Sequence, residues 1–599
     1  MCGINGILRL DARAAPVDRE ELLTTRDRMA ARGPDGSGLW IADDRTIGLG
    51  HRRLAIIDLS DAGLQPMATR DGRYRIVFNG EIYNYRELRA ELLAAGARFE
   101  SHSDTEVVLE SFARRGVDSF SGLRGMYALA IWDAAERRLV LARDPYGIKP
   151  LYYSVSGTHL RFASQLKALE AGGAIGSDVD PAGLAGFLLW GSVPEPFTLR
   201  REVRCLPAGH YLVAADGRAG APQPHARLAC ASRDDDGSAA VDALEDSVRA
   251  HLVADVPVAV FLSSGLDSSL LAALARRAAD DPPTTLTLKF DAYVGSQRDE
   301  APLAAEVARV LGTRHVERFV KREDFLDLWP AALHAMDQPS VDGFNTYVVS
   351  QAAHREGFKV VLSGVGGDEL LGGYRSFPEV PRWSRWAAAL DRLPGVRRVW
   401  PAAAGVRPST PKLAGLIEYG TTLPGAYFVR RALYLPEELG ALIGAGTAAD
   451  GLAAYDPVAD AGKYLGPLPD HDGWQAVHLM ESSQYMRNQL LRDSDWASMA
   501  HSLELRVPLV DARLQQSFAA ADFRPARDGG KAAAIRAAAP ELPASLWSRP
   551  KTGFSIPVME WLDERIDPST APGLASRALA LRVLEAFGVE LAERVGRGD

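Results

Sequence analysis

The chain has 599 residues, more than one hydrophobic core normally supports, so we expect at least two domains. Its 68 lysines and arginines against 77 aspartates and glutamates give a formal net charge of -9, which argues against a nucleic-acid-binding protein. Three cysteines, Cys2, Cys205 and Cys230, are too few for a disulfide framework or a zinc site. Because the sequence shows no signal-peptide pattern and no membrane-spanning apolar run, we expect a soluble cytoplasmic protein without nucleic-acid or membrane partners.

The first feature in chain order is the cysteine that directly follows Met1, in the sequence MCGINGILRL. A small second residue generally permits removal of Met1, and the freed α-amine would titrate near ~8, so it could act as a local base. A lone cysteine near a terminus is more often simply a small apolar residue. The residues alone leave both interpretations of Cys2 open.

Up to about Tyr211, short β-like runs alternate with glycine-rich turns. The runs are RIVFNGEIYN, MYALAIWD, RRLVLARD, LYYSVSG and HLRFAS. Many strands with few helices predict stacked sheets. A stretch rich in Ala, Gly, Pro and charged residues follows and indicates a linker. We therefore place the first domain at residues 1–212, the linker at 213–237 and the second domain at 238–599.

The second domain begins with buried strands that alternate with helices. VPVAVFL, TTLTLKF and FKVVLSG each precede a helical segment. Strand and helix in repeated alternation predict a parallel α/β sheet. From Pro378 onward the sequence is mainly helical in pattern.

The first of these strands runs into the turn SSGLDSS at the start of a helix. The free N–H groups and positive dipole of a helix start form an anion site, so a phosphate could contact Ser264, Gly265 and Ser268. The spacing is not that of a Walker loop. The alternative is a capped helix after a strand, since Asp and Ser are also good caps. If the position of Ser264 needs a positive φ, the serine would be strained there.

A second strand runs into the glycine-rich acidic turn SGVGGDELLGGY. Its glycines allow close approach to a ligand, and Asp368 with Glu369 could hold a divalent ion against phosphate oxygens. A solvated acidic turn is the alternative. Two such loops at neighbouring strand ends predict a Mg-ATP crevice at the carboxyl edge of the sheet.

The chain contains these recognisable segments in order: MCGI, RGPDGSG, HRRLAIIDLS, FNGEIYN, SDTEVVL, GMYALAIWD, RDPYGIKPLYY, LSSGLDSS, SGVGGDE, MAHSLELRVPLVD and RPKTGF. In these segments and in their order the sequence resembles the glutamine-hydrolysing asparagine synthetases. The resemblance implies an α/β protein of two domains. The first would be an αββα N-terminal-nucleophile hydrolase sandwich with class II glutamine amidotransferase activity. The second would be a parallel-sheet α/β ATP pyrophosphatase domain with added helices.

The resemblance implies that Cys2 is the nucleophile that attacks the glutamine side-chain amide. Arg53 would bind the α-carboxylate of glutamine and Asp104 its α-ammonium group. Asn79 and Gly80 would be the oxyanion donors. The glutamine-binding set is Arg53, Asn79, Gly80, Glu81 and Asp104.

In the second domain, the resemblance implies an ATP site, a magnesium site and a catalytic lysine. The ATP-binding residues would be Leu262, Ser263, Ser264, Gly265, Asp267, Ser268, Leu288, Ser363 and Gly364. Asp267 and Asp368 would hold Mg²⁺, and Lys551 would stabilise charge during activation or attack. The implied substrates are glutamine, ATP and a carboxylic acid such as aspartate, which would react through an acyl-adenylate. The sequence leaves a homodimer open.

The acceptor acid is the part that the resemblance fixes least. Val365 stands where asparagine-forming relatives commonly carry a carboxylate, and Gln338, Gln165 and Lys289 also depart from the family pattern. Aspartate is the leading acceptor on family size, with a different carboxylic acid from a specialised pathway as the alternative. A lactam- or macrolactam-forming synthetase is less favoured, because such relatives characteristically lose the nucleophile and its pocket, which are in place here.

Overall fold

The computed structural model describes residues 2–226, 238–405, 411–466, 473–520, 530–549, 558–562 and 572–592. The N-terminal half forms two antiparallel sheets. The first sheet has the order β10-β8-β9-β1-β3-β2 and the second the order β12-β11-β7-β6-β5-β4, with β13 on β11. The strands are β1 (Cys2–Arg9), β2 (Gly36–Ile41), β3 (Ile47–Arg53), β4 (Met67–Ala68), β5 (Tyr74–Ile82), β6 (Gly125–Asp133), β7 (Arg138–Arg143), β8 (Tyr152–Ser156), β9 (His159–Ala163), β10 (Arg204–Cys205), β11 (His210–Ala215), β12 (Arg218–Ala219) and β13 (Gln223–Pro224).

The two sheets pack face to face through apolar side chains. Ile4 and Leu49 of the first sheet meet Val77, Ala128 and Leu141 of the second, all of them buried. Helices cover the outer faces, which gives the four-layer αββα sandwich. These helices are α1 (Arg19–Arg28), α2 (Tyr85–Ala94), α3 (Asp104–Arg115) and α4 (Leu166–Ala171). The next helix, α5 (Pro181–Trp190), packs on helices of the C-terminal half instead.

The segment predicted to be a linker contains the end of β11 and the short strands β12 and β13, which pair with β11. Residues 227–237 of this segment lie outside the described residues. The domain bounds at 212 and 238 stay a prediction.

The C-terminal half is built on a parallel sheet of order β16-β15-β14-β17-β18. Its strands are β14 (Val258–Phe261), β15 (Thr284–Phe290), β16 (Arg314–Val320), β17 (Val360–Leu362) and β18 (Glu504–Arg506). The three strands predicted from the sequence occupy neighbouring central positions, with β14 between β15 and β17. Their carboxyl ends therefore meet at one edge, as the predicted nucleotide crevice requires.

Helices surround this sheet and extend beyond it. They are α6 (Ser238–His251), α7 (Leu266–Ala278), α8 (Ala301–Leu311), α9 (Arg322–Ala335), α10 (Phe344–Arg355), α11 (Gly367–Leu371), α12 (Ser376–Leu390), α13 (Val396–Gly405), α14 (Leu416–Tyr419), α15 (Leu423–Arg431), α16 (Leu439–Ile443), α17 (Ala445–Ala454), α18 (Pro457–Gly462), α19 (Gly473–Met480), α20 (Arg492–Met499), α21 (Ala512–Ala520), α22 (Gly530–Ala538), α23 (Ala544–Ser548), α24 (Val558–Leu562) and α25 (Pro572–Ala586). A π-helical segment, Glu481–Leu491, joins α19 to α20.

The predicted fold class is confirmed: an αββα sandwich of antiparallel sheets precedes a parallel α/β domain with added helices. Among the described helices, none combines the length and the apolar character needed to cross a bilayer.

Candidate active sites

Cys2 begins the central strand of the first sheet. Its antiparallel partner across the ladder to β3 is Arg53. The side chain is 7% exposed, and burial raises the pKa of the Cys2 thiol. A thiol in this state needs a neighbouring base before it can act as a nucleophile.

Asn79 connects the second sheet to Cys2. Its Oδ1 accepts a hydrogen bond of 2.9 Å from the Cys2 backbone nitrogen. Its Nδ2 is buried and has no hydrogen-bond partner among the described residues. A buried donor without a partner is costly, so an amide of this kind fits an acceptor supplied by a ligand.

The side chains predicted to hold the two charged ends of glutamine are both fixed in position. Arg53 donates through Nη1 to the carbonyl of Ser60 at 2.8 Å and through Nη2 to the carbonyl of Asp58. Asp104 opens helix α3 and accepts the backbone N–H of Ile82 at 3.0 Å. Burial raises the pKa of Asp104 to about 6.

Gly80 and Glu81 follow Asn79 on β5. A Cβ on Gly80 would lie 2.1 Å from the carbonyl oxygen of Met126, so only glycine fits between the strands there. Glu81 is buried, and burial raises its pKa well above the usual range. The register of β1, β3 and β5 thus brings the predicted glutamine-site residues into one region.

In the second domain, the turn after β14 is held by hydrogen bonds from its backbone to its own serine hydroxyl groups. The Ser263 nitrogen donates to Ser268 Oγ at 3.1 Å, and the Gly265 nitrogen donates to Ser263 Oγ at 3.0 Å. Gly265 has φ -79°, and Ser264 is not among the residues with positive φ. Serine at position 264 is therefore unstrained, and its Oγ is buried within the turn.

The acidic loop after β17 lies directly against this turn. A Cβ on Gly364 would lie 3.0 Å from Asp267 Cβ, and a Cβ on Gly367 would lie 2.2 Å from Asp267 Oδ1. Asp267 and Asp368 both contact the Nζ of Lys531, so the two carboxylates converge on one cation. They are about one-fifth exposed. Two partly exposed carboxylates that already share a cation fit a divalent ion.

The remaining predicted residues of this half lie near the same edge, with one exception. Leu288 is buried near the end of β15. The Ser363 nitrogen donates to the carbonyl of Arg506 on β18 at 2.9 Å, which fixes the start of the acidic loop. Lys551 lies outside the described residues.

Two of the departures from the family pattern have structural explanations. Gln338 is buried and accepts the N–H of Leu199 at 3.1 Å while its Nε2 donates to Tyr152 Oη at 3.1 Å, so it ties the two domains together. Val365 is partly buried and packs on the apolar core. Valine supplies no polar atom at that position, so it cannot assist an acceptor electrostatically.

A buried ion pair joins the start of β1 to the second domain. Arg32 donates from Nε to the carbonyl oxygen of Cys2 at 3.1 Å. Its Nη1 and Nη2 reach the two carboxylate oxygens of Asp495 at 2.6 and 3.1 Å. The Nζ of Lys149 lies 3.6 Å from the same carboxylate, and all three side chains are 3% exposed or less.

Arg506 forms a second link between the halves. It is fully buried on β18, donates from Nε to Glu504 at 2.5 Å, and places Nη2 at 3.8 Å from Glu81 Oε2. Since its carbonyl accepts the N–H of Ser363, one residue contacts both β5 and the acidic loop.

The sequence interpretation missed four of these residues. Arg32, Asp495 and Arg506 occupy buried positions, where a charged side chain needs a partner from elsewhere in the fold. Lys531 follows a glycine pair and has the sequence context of a surface lysine. A charged residue on a buried strand, as in LELRV, was the signal that could have identified Arg506.

Comparison with known proteins matches both halves of the chain to characterised families. Residues 1–224 match the glutamine amidotransferase domain family, and residues 239–590 match the asparagine synthase family. Together these matches cover nearly the whole chain.

Several proteins resemble the chain. It is 31% identical over 581 residues to asparagine synthetase (glutamine-hydrolyzing) 1 of Bacillus subtilis, a match that covers 95% of this chain and 89% of that protein. A Mycobacterium tuberculosis protein, named as a provisional asparagine synthetase (glutamine-hydrolyzing), is 34% identical over 598 residues, a match that covers 94% of this chain and 88% of that protein. An amidase of Gibberella zeae named chry2 is 34% identical over 387 residues, covering 60% and 56%.

Proposed function

This chain belongs to the family of glutamine-hydrolysing asparagine synthetases, and from that membership we propose that it transfers the amide nitrogen of glutamine to a carboxylate activated by ATP. The observation that carries the proposal is the pairing of two sites in one chain. Cys2 contacts Asn79 in one half, and Asp267 converges with Asp368 in the other. The first site fits amide hydrolysis and the second fits metal-assisted chemistry on a nucleotide.

At the first site, the Cys2 thiolate attacks the side-chain carbonyl carbon of glutamine. Asn79 Nδ2 and the Gly80 N–H are the donors for the oxyanion that develops. After Met1 is removed, the Cys2 nitrogen is an α-amine that takes the thiol proton and returns it to the departing ammonia. Because this nitrogen bonds Asn79 Oδ1, one side-chain amide aligns both the base and the oxyanion donor. Water then converts the thioester to glutamate.

Glutamine recognition needs one fixed cation and one fixed anion. The carbonyls of Asp58 and Ser60 hold part of the Arg53 guanidinium, which matches a carboxylate bidentately. Asp104 is anchored by the Ile82 N–H and supplies the negative charge for the α-ammonium group. A substrate that lacks either the α-carboxylate or the α-ammonium group would bind weakly.

At the second site, a carboxylate oxygen of the acceptor attacks the α-phosphorus of ATP, and pyrophosphate leaves. Ser263, Gly265 and Ser268 cradle the phosphates at the start of α7. Asp267 and Asp368 would hold Mg²⁺, which when bound neutralises phosphate charge. Lys531 balances the two carboxylates. Lys551 is assigned to charge stabilisation on the family resemblance alone.

Ammonia from the first site then displaces AMP from the acyl-adenylate to form the amide. Free ammonia is mostly protonated at neutral pH and is then not a nucleophile. Transfer inside the protein, between domains tied by Arg32 and Arg506, therefore suits the chemistry.

Aspartate is the leading acceptor because the family relatives that cover the chain are named for asparagine synthesis. A different carboxylic acid is the second candidate, and Val365 favours it. Valine offers neither a proton acceptor for incoming ammonia nor a partner for an α-ammonium group. The pocket for the acceptor must therefore differ from one that carries a carboxylate at this position.

ATP–pyrophosphate exchange, screened over aspartate and other carboxylic acids, tests the proposal. Exchange with aspartate would support asparagine formation, and exchange with another acid alone would replace aspartate as the acceptor. Glutamate release from glutamine, measured on the same preparation, reports on the first site separately. If glutamine is hydrolysed but no acid supports exchange, the ATP-dependent half of the proposal is wrong.

A further inference from the structure

One surface of the second domain carries a charge opposite to that of the whole chain. It is formed by the exposed side chains of α12 and the start of α13, between positions 375 and 399, and we call it the arginine face. This segment contains six arginines, all exposed, and two acidic residues. Asp391 pairs with Arg397, which also lies 3.6 Å from Glu418 of α14, and Glu379 pairs with Arg430 of α15. A positive excess remains on a protein whose net charge is -9.

The three most exposed large apolar side chains in the described part of the chain lie on the arginine face. Val399 is 65% exposed, Trp386 59% and Leu393 55%. Arg382 lies over the Trp386 ring at 5.3 Å from the centroid, which holds a cation and an aromatic side chain side by side. The opposite side of α12 is already buried against the protein through Phe377 and Val380. The exposed apolar groups are therefore not needed for the fold.

The order of these residues decides which partner fits. Arginines alternate with Trp386, Leu393 and Val399 along the face. A protein interface gathers its apolar residues into a core with a polar rim, whereas a lipid surface accepts interspersed apolar tips and cations. Guanidinium groups match lipid phosphates, and each basic residue near an anionic surface adds attraction. A symmetric contact between two copies would set arginine against arginine.

We propose that the arginine face docks on an anionic lipid surface, with Trp386, Leu393 and Val399 entering the headgroup boundary. The docking is peripheral and involves no spanning helix. It places the α12 side of the synthetase domain against the membrane. A peripheral contact of this kind needs no membrane-spanning run in the sequence.

Vesicle flotation tests this proposal. The full chain is mixed with vesicles of equal parts phosphatidylglycerol and phosphatidylcholine, or of phosphatidylcholine alone. We expect flotation with the anionic vesicles only, weakening as salt rises. The double variant Arg392→Glu/Arg398→Glu should lower the partition coefficient by more than about tenfold. Trp386→Ala/Leu393→Ala should also lower it severalfold with all charges kept. Both double variants should keep wild-type turnover without vesicles.

The matched control is Arg13→Glu/Arg70→Glu, which changes net charge equally at exposed positions of the first domain. It should float like the wild type. The proposal is overturned if the wild type does not float with anionic vesicles. It is likewise overturned if the control loses as much vesicle binding as Arg392→Glu/Arg398→Glu. It is also overturned if Trp386→Ala/Leu393→Ala keeps full binding. A changed elution volume of the arginine variant without lipid would assign the face to a contact between copies instead.

Discussion

Asn79 has a role at both ends of its side-chain amide in the proposed glutamine site. Its oxygen accepts the Cys2 N–H, and its buried nitrogen has no partner in the described part of the chain. We expect Asn79→Ala to lower kcat for glutamine hydrolysis about 10²–10³-fold, because one oxyanion donor is lost. Synthesis driven by added ammonia should be unchanged, which serves as the internal control. An equal loss of both activities would contradict the assignment.

Asp104 predicts a pH dependence of glutamine use. Burial raises its pKa to about 6, so the free enzyme loses this negative charge as pH falls through that value. We expect kcat/KM for glutamine to fall below about pH 6 mainly through a higher KM, since the protonated form cannot pair with an ammonium group. Asp104→Asn should have a low kcat/KM without the inflection near pH 6, while the dependence set by the Cys2 α-amine, which titrates near ~8, is kept. A variant with the wild-type profile would contradict this role.

For single residues, the sequence identified the residue types of the sites better than their burial, pKa or backbone conformation. Cys2, Asn79 and Asp104 lie together as the motifs imply, but their burial, and the raised pKa values of Cys2 and Asp104, depend on segments far away in the chain. Ser264 shows the reverse case, because the strain that its sequence position suggested is absent at negative φ. Backbone conformation at one position cannot be read from residue type alone.

Among the elements of the parallel sheet, the strands with strong apolar runs were predictable and the strands rich in charged residues were not. β14, β15 and β17 were visible in the sequence, whereas β18, although as long as β17, includes the charged Glu504 and Arg506. Those charges are paired inside the fold, which a hydrophobic pattern cannot reveal. The two loops at the sheet edge were predicted, but the lysine of α22 that joins them was not.

The convergence of the α7 start, the acidic loop and α22 predicts a metal dependence. Asp368→Asn should raise the Mg²⁺ concentration needed for pyrophosphate exchange by at least about tenfold, because a proposed ligand loses its charge. Thermal protection by Mg²⁺ with ATP should shrink in parallel. Glutamine hydrolysis should be kept. Asp391→Asn, an acid distant from this loop, is the control and should change neither quantity.

The contact between the N-terminal strand and α20 predicts a stability effect. Asp495→Asn leaves Arg32 and Lys149 buried without a full negative charge, so we expect a loss of about 3–5 kcal/mol in the free energy of unfolding. Urea denaturation measures this change. The control Glu100→Gln breaks the exposed pair with Arg70 and should cost less than about 1 kcal/mol. Similar losses in the two variants would show that the buried ion pair contributes no more to the free energy of unfolding than the exposed pair.

For the whole molecule, the arrangement of domains follows from contacts that no single motif contains. The matched motifs predict two active sites, yet they do not say how the sites face each other. Arg32 and Arg506 supply that information because each is buried and reaches a partner in the other half. These pairs join residues that are far apart in the chain, so local sequence patterns do not reveal them.

Arg506 predicts how the two reactions are coupled. Its guanidinium holds Glu504 and the carbonyls of His251 and Val253, its Nη2 faces Glu81, and its carbonyl fixes Ser363. Arg506→Lys keeps the charge but cannot make all these contacts. We expect glutamate released per amide formed to rise by about a fewfold, with ammonia-driven synthesis largely kept. Arg577→Lys, at another paired arginine, is the control and should leave the ratio unchanged. A normal ratio in Arg506→Lys would show that the sites are coupled by another route.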